Sequence, residues 1–503
     1  MKRLILIVAG AAALAVMEVA AKPVPATPFA DNMVLQRGRQ VPVWGTAEPG
    51  EKVTVSFAGQ TKVAAADAKG LWRVELGAMD ASKESRTLRV AGADGAEEIK
   101  NVLVGEVWFA SGQSNMECPI WGGATRYRDG KGAMMIAMTR RPYIRFAKNP
   151  RKWSVVPRLG WKAEWRDFSP ESFDAVAKGS LSAVAFYYAL ELYGALDIPI
   201  GIVDSSWGGT NIDAWTPHSG YERRPELKDV ADYPVREKWD ESMRKGPVIG
   251  AHQQPSVLWN GMVAAWAPMA IRGMIWYQGC HNSGIWYQGC HNNGEPQRYC
   301  SKMHALYDGW AKEFQNPCLK LYFVQLAPWK NSWFDLQMAQ TKFAEDEPNA
   351  ALVTTCDIGN SWDIHPNDKE PVARRLALHA LKRDYGFDNI IDDAPTVKSW
   401  KVEGGKFVLT FENAQSLYCY NADRSEPKGF EVAGDDGKFF PAKVLNENAN
   451  SSIKGAELIV GADEVPEPKQ LRYLYSKPWI GSLYSADSAL PLGPFELKGE
   501  NER

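Results

Sequence analysis

The chain reads as an α/β protein, a doubly wound parallel sheet set between two all-β modules. Between 105 and 388, short continuous apolar runs alternate with helical stretches, as expected of parallel strands covered on both faces. At 22–104 and 389–503 the pattern changes to period-two strands broken by Gly and Asp-Gly turns, with few helical periods. A length of 503 residues also exceeds one ordinary core.

Residues 1–21 form a targeting segment. Lys2 and Arg3 precede an apolar run that ends at Met17, and Val19, Ala20 and Ala21 supply small residues for cleavage after Ala21. The run is short for a membrane span, and no Cys near the cut suggests a lipid anchor. The mature protein is therefore expected to be periplasmic or secreted, with no membrane span. In the N-terminal β-sandwich at 22–104, 52–57 and 72–76 alternate apolar and polar residues. The central domain, 105–388, offers strands at 107–111, 144–147, 200–205, 274–278, 321–326 and 352–357, and helices near 182–196 and 301–314. Reactive groups in such a sheet gather at the carboxyl ends of its strands. The C-terminal domain, 389–503, carries strands at 407–411, 458–460 and 471–475.

Composition narrows the function. A net charge of -2 makes no electrostatic case for nucleic acid or an anionic membrane. The 20 Trp, 18 Tyr and 18 Phe suit stacking on sugar rings as well as ordinary cores. Seven Cys leave at least one thiol unpaired, and buried free thiols are the simplest expectation. Oligomeric state is not legible.

The chemistry centres on Ser114, in the turn Gly112-Gln113-Ser114-Asn115-Met116 that follows the first apolar strand. A serine hydroxyl needs a base and preorganised donors for the oxyanion. His365, in Asp363-Ile364-His365-Pro366 after the last apolar strand, should emerge on the same sheet edge. Asp363 is placed to orient its ring. His218, His252, His304 and His379 show no partner pattern and read as structural. Oxyanion donors are the backbone N–H of Ser114, that of Gly208 or Gly209 after the strand at 200–205, and the amide of Asn282 or Asn292. The last two arise from a tandem copy: 275–282 recurs as 285–292. One copy should hold the strand end and the other form an extra loop. Cys280, His281, Cys290, His291 and Cys300 lack the close Cys-x-x-Cys pairing of a zinc site, and duplication explains their clustering. No metal or other cofactor is expected.

These blocks resemble the SGNH hydrolase superfamily and, more closely, the sialate O-acetylesterase family of carbohydrate esterases. The resemblance rests on 29–36, on Gly105-Glu106-Val107-Trp108 with Gly112 to Met116, on Trp207-Gly208-Gly209-Thr210, on Trp276-Tyr277-Gln278-Gly279, on Asp363 to Pro366, and on 483–495. It implies an SGNH, flavodoxin-like sheet and cleavage of O-acetyl esters on sugars through an acetyl-enzyme on Ser114, with His365 as base and no metal. Gln113 and Asn115, flanking the nucleophile, are assigned to substrate binding. The third block here is Gly-Cys-His-Asn where the family usually has Gly-Glu-Ser-Asn. The first copy keeps the long strand lead-in from Ala270, which favours Asn282. The expected substrate is an O-acetylated sugar, sialic acid first, with acetylated xylan or hexosamine as alternatives. A glycan-binding protein with little turnover is the competing class.

Overall fold

The computed structural model describes residues 22–120, 140–158, 162–172, 181–235, 251–280, 296–329, 334–359, 363–421, 426–446, 453, 457–475 and 479–499. The targeting segment at 1–21 and the stretch 281–295, with the whole second copy of the doubled segment and the end of the first, lie outside them.

Seven strands run through the centre of an eleven-stranded sheet: β1 Gly95–Gly112, β2 Arg141–Lys148, β3 Trp165–Phe168, β4 Ile200–Ser206, β5 Gly273–Tyr277, β6 Lys320–Val324 and β7 Ala350–Val353. Their order is β3-β2-β4-β1-β5-β6-β7. Every neighbouring pair is parallel except β3 with β2. All six apolar runs read as parallel strands are therefore in the sheet. The last is shorter than its run: β7 ends at Val353, and 354–358 turn away.

Alternate residues feed two cores, as the strand period of two requires. Trp108, Ala110, Ile202, Ile275 and Tyr277 pack with α2 (Ala183–Leu196) and α5 (Glu370–Tyr385). Val107, Phe109, Val203, Met274 and Trp276 pack with α3 (Pro296–Glu313) and α4 (Phe334–Asp346). Helices thus cover both faces, which is why the strand runs are apolar throughout instead of alternating.

β1 is longer than its apolar run. Its first half pairs with Ser82–Gly92 of the N-terminal β region and its second half lies between β4 and β5. One strand therefore crosses the position at 104/105 where the sequence suggested a boundary. The strand Val34–Gln36 adds in parallel alongside residues 103–105. The C-terminal region is β-rich, with a seven-stranded antiparallel sheet and a hairpin-like pair, Leu417–Cys419 with Leu483–Ser485. It reaches the central domain at the turn after β7. Gly481 N–H donates to the Cys356 carbonyl at 2.8 Å, and Cys356 Sγ donates to the Leu492 carbonyl at 3.2 Å. The block at 483–495 thus braces the chain that leads towards His365.

Among the described residues, no helix is long and apolar enough to cross a membrane. Cys118, Cys280, Cys300, Cys318, Cys356 and Cys419 are all free thiols.

Candidate active site

β1 ends where a side chain would not fit. Gly112 has φ +137°, and a Cβ there would lie 2.3 Å from the Tyr277 carbonyl. Only glycine accommodates both the backbone conformation and this contact. Gln113 follows as the N-cap of a four-residue helix, α1, Ser114–Glu117. Its backbone N–H donates to the Tyr277 carbonyl at 3.0 Å, and its side-chain Oε1 accepts from Gly279 N–H at 3.1 Å. The turn is thus pinned to the end of β5, and Ser114 is left half-buried at the carboxyl edge of the central strand.

His365 reaches this serine. Its Nε2 lies 2.8 Å from Ser114 Oγ, across 251 residues of chain. Asp363 Oδ1 accepts from His365 N–H at 3.0 Å and sits 3.3 Å from its Nδ1. The loop curls across the short Asp363–His365 spacing, so that one carboxylate oxygen meets both groups. With the proton on Nδ1, towards Asp363, Nε2 would accept from Ser114 Oγ. Burial lowers the His365 pKa below the ordinary histidine value, and the Lys369 charge lowers it further, against the opposing pull of Asp363. The resting imidazole is neutral at neutral pH, the form a general base requires.

The loop after β4 closes on the same point. Trp207 N–H donates to the Gly112 carbonyl at 3.1 Å. A Cβ on Gly208 would stand 3.2 Å from Ser114 Cβ and 3.1 Å from a Glu117 carboxylate oxygen. Gly208 N–H donates to Glu117 Oε2 at 2.8 Å, and the other Glu117 oxygen pairs with Arg151. Gly209 is exposed, with φ +71°. Gly208→Ala is expected to lower kcat/KM by about 10² with little change in Tm, because the added methyl intrudes on the nucleophile. Steady-state kinetics beside a thermal melt checks this, and wild-type kcat/KM would contradict it.

The expected residues Ser114, His365, Asp363 and Gly208 are thus brought together. Gln113 and Asn115 point inward, being 2% and 1% exposed. Asn115 Nδ2 donates to the Ile364 carbonyl at 2.9 Å, and its Oδ1 accepts from Lys369 at 2.6 Å. Both amides, expected to bind substrate, make these contacts within the protein. Asn282 and Asn292 lie outside the described residues, but the strand β5 belongs to the first copy of the doubled segment. Cys280, at its end, is 3% exposed, and burial pushes its thiol up to about 12. It holds its proton and is no rival nucleophile.

Three contacts near Ser114 escaped the sequence reading. Lys369 is wholly buried beside Asn115. Glu117 and Arg151 form an ion pair at the mouth of the Ser114 turn. Trp207 stacks on His252 with ring centroids 4.9 Å apart. No local pattern marks any of these, since each depends on pairing between distant loops.

Elsewhere, Cys300, His304 and Asp346 converge. Burial raises the Cys300 thiol to about 11 and lowers the His304 pKa, while Lys342 pairs with Asp346. His379 Nδ1 lies 3.0 Å from Asp392, and Arg383 forms ion pairs with both Asp392 and Asp393.

Residues 104–377 match the model of the family described as carbohydrate esterase, sialic acid-specific acetylesterase. A sialate O-acetylesterase from Rattus norvegicus is 25% identical over 530 residues, covering 93% of each chain. The Homo sapiens sialate O-acetylesterase is 27% identical over 510 residues, covering 92% of this chain and 90% of that one. The crystal structure of a carbohydrate acetylesterase from Xanthomonas citri superposes with a TM-score of 0.79 at 32% identity, covering 95% of this chain and 99% of that one. With the family match spanning more than half of its length, the chain belongs to the sialic acid-specific acetylesterase family of carbohydrate esterases and is a carboxylic ester hydrolase.

Proposed function

We propose that this esterase removes O-acetyl groups from sugars through an acetyl-enzyme on Ser114. The observation that carries the reading is the 2.8 Å contact between His365 Nε2 and Ser114 Oγ at the end of the central strand. His365 takes the serine proton as Oγ attacks the acetyl carbonyl. The oxyanion forms against backbone N–H groups at Ser114 and at Gly208 or Gly209, with the Asn282 amide as the third donor. For Gly208 N–H to serve, the Glu117 carboxylate has to turn away. The sugar alkoxide leaves as His365 returns the proton to it. Water, deprotonated by the same imidazole, then releases acetate. Asp363 holds the ring, and Gln113 and Asn115 hold the turns on either side of the serine. The parallel sheet with this serine turn fits the SGNH layout, with β modules at 22–104 and 389–503 flanking a catalytic domain at 105–388. The chain acts outside the cytoplasm once 1–21 are removed.

Sialic acid is the first substrate to test, since the relatives that match over nearly the whole chain are named for it. Glu117 favours a second reading. A carboxylate beside Ser114 repels an anionic sugar to the extent that Arg151 leaves it uncompensated, so neutral acetylated sugars gain. Acetate release from O-acetyl sialic acid, acetylated xylan and acetylated hexosamine, with Ser114→Ala as control, decides between them. Release from none of the three would sink the proposal.

The acid limb of kcat/KM should have its midpoint below the ordinary histidine value of about 6.5. Activity is lost as pH falls through the lowered His365 pKa, because protonated imidazole cannot accept the serine proton. A rate that is flat between pH 4 and 8, or a midpoint above 7, contradicts His365 as base.

A further inference from the structure

Among the described residues, Lys369 is a buried cation beside the site that the reaction above leaves without a task. It is 0% exposed, at the start of α5 and four residues after His365. A buried ammonium is costly unless it is held by polar partners. Its Nζ donates to Asn115 Oδ1 at 2.6 Å, and Asn115 Nδ2 donates to the Ile364 carbonyl at 2.9 Å. One hydrogen bond therefore joins the residue next to Ser114 to the residue next to His365, and Lys369 holds the Asn115 amide from its other end.

We propose that Lys369 is a positioning residue of the esterase: its ammonium, acting through Asn115, locks the His365 loop against the Ser114 turn. The inference rests on the Ser114–His365 reading. Its positive charge also opposes a second one on the His365 ring. The groups facing Lys369 are Cys118 and Asn115 from the serine turn, the Tyr277 ring and Cys280 from the end of β5, and Asp363 and Asp368 from its own loop. Those facing His365 include Ser114, Asp363 and Lys369. Burial holds the lysine at about 8, so it is charged where the enzyme would need a neutral base, and it loses that charge in alkaline solution.

The test is the pH profile of kcat and kcat/KM for wild type, Lys369→Met and Asn115→Ala on one acetylated substrate. Lys369→Met is expected to lower kcat about tenfold with KM little changed. It should also raise the acid-limb midpoint by about half a unit to one unit, the effect of removing one nearby charge. Asn115→Ala, which keeps the charge, should lower kcat with the midpoint unmoved. Should Lys369→Met fail to fold, Lys369→Gln, which retains a donor without the charge, is expected to show the same upward midpoint. A wild-type midpoint in the lysine variants overturns the inference. Ser114→Ala measured alongside separates the two readings. If it stays active, the nucleophile is wrong; if it is inactive while the lysine variants keep wild-type kcat and midpoint, only the role of Lys369 fails.

Discussion

Ser114→Ala should lower kcat/KM on an acetylated sugar by about 10⁴ to 10⁶, the loss seen when a serine nucleophile is removed and only binding and oxyanion donors remain. Stability should stay within about 0.5 kcal/mol, because Ser114 is half-buried and its hydroxyl bonds to His365, which solvent can satisfy in its absence. The neighbouring thiol of Cys280 cannot take over, since burial holds it in its protonated form. His365→Ala should cost a similar factor, and the double variant little more, since the two side chains act as one unit. Additive losses would show that they act separately.

Glu106→Ala should destabilise the fold by about 3 kcal/mol, towards the lower end for a broken buried ion pair. Glu106 is 0% exposed at the middle of β1, where it accepts from Gln36 Nε2 at 2.9 Å, from Arg272 Nε at 2.9 Å, and from Arg37. Burial alone would raise its pKa, but the hydrogen bonds and charge of Arg272, with Gln36 and Arg37, override this and lower it. Both arginines keep a quarter to a third of their side-chain surface in water, which limits the cost of stranding them. The sign with pH follows: the contribution is present above the ordinary carboxylate range near 4.3 and is lost as pH falls through the lowered folded value. Urea midpoints at pH 7 and in mild acid check both statements. Since Glu106 lies about 20 Å along β1 from the serine turn, by the strand rise, kcat at 25 °C should be unchanged. This also gives a physical reason for the Gly105-Glu106-Val107-Trp108 block: it anchors the N-terminal β region to the central sheet.

The central strands were legible because burial on both faces writes itself as continuous apolar runs, and Ser114 and His365 were legible because each follows such a run. The reach of β1 into the N-terminal region was not, since its first half alternates as an ordinary two-sided strand and no turn marks the crossing. Side-chain direction was the other gap. Asn115 and Gln113 flank Ser114 in sequence, and the turn there sends both amides inward, to Gly279 just past β5 and to the His365 loop. Lys369, written among Asn, Asp and Glu, reads as a solvated helix start, and only the packing of the loop over Tyr277 buries it. The Glu117 contact with Gly208 spans 91 residues and leaves no trace in either segment alone.

A fluorophosphonate tests the central claim most directly, because it phosphonylates an activated serine hydroxyl and no resting one. Wild-type enzyme should lose acetylesterase activity in proportion to a single adduct, and peptide mapping should find that adduct on Ser114. Full activity in protein completely modified at Ser114, or inactivation with the adduct on another residue, would contradict the account.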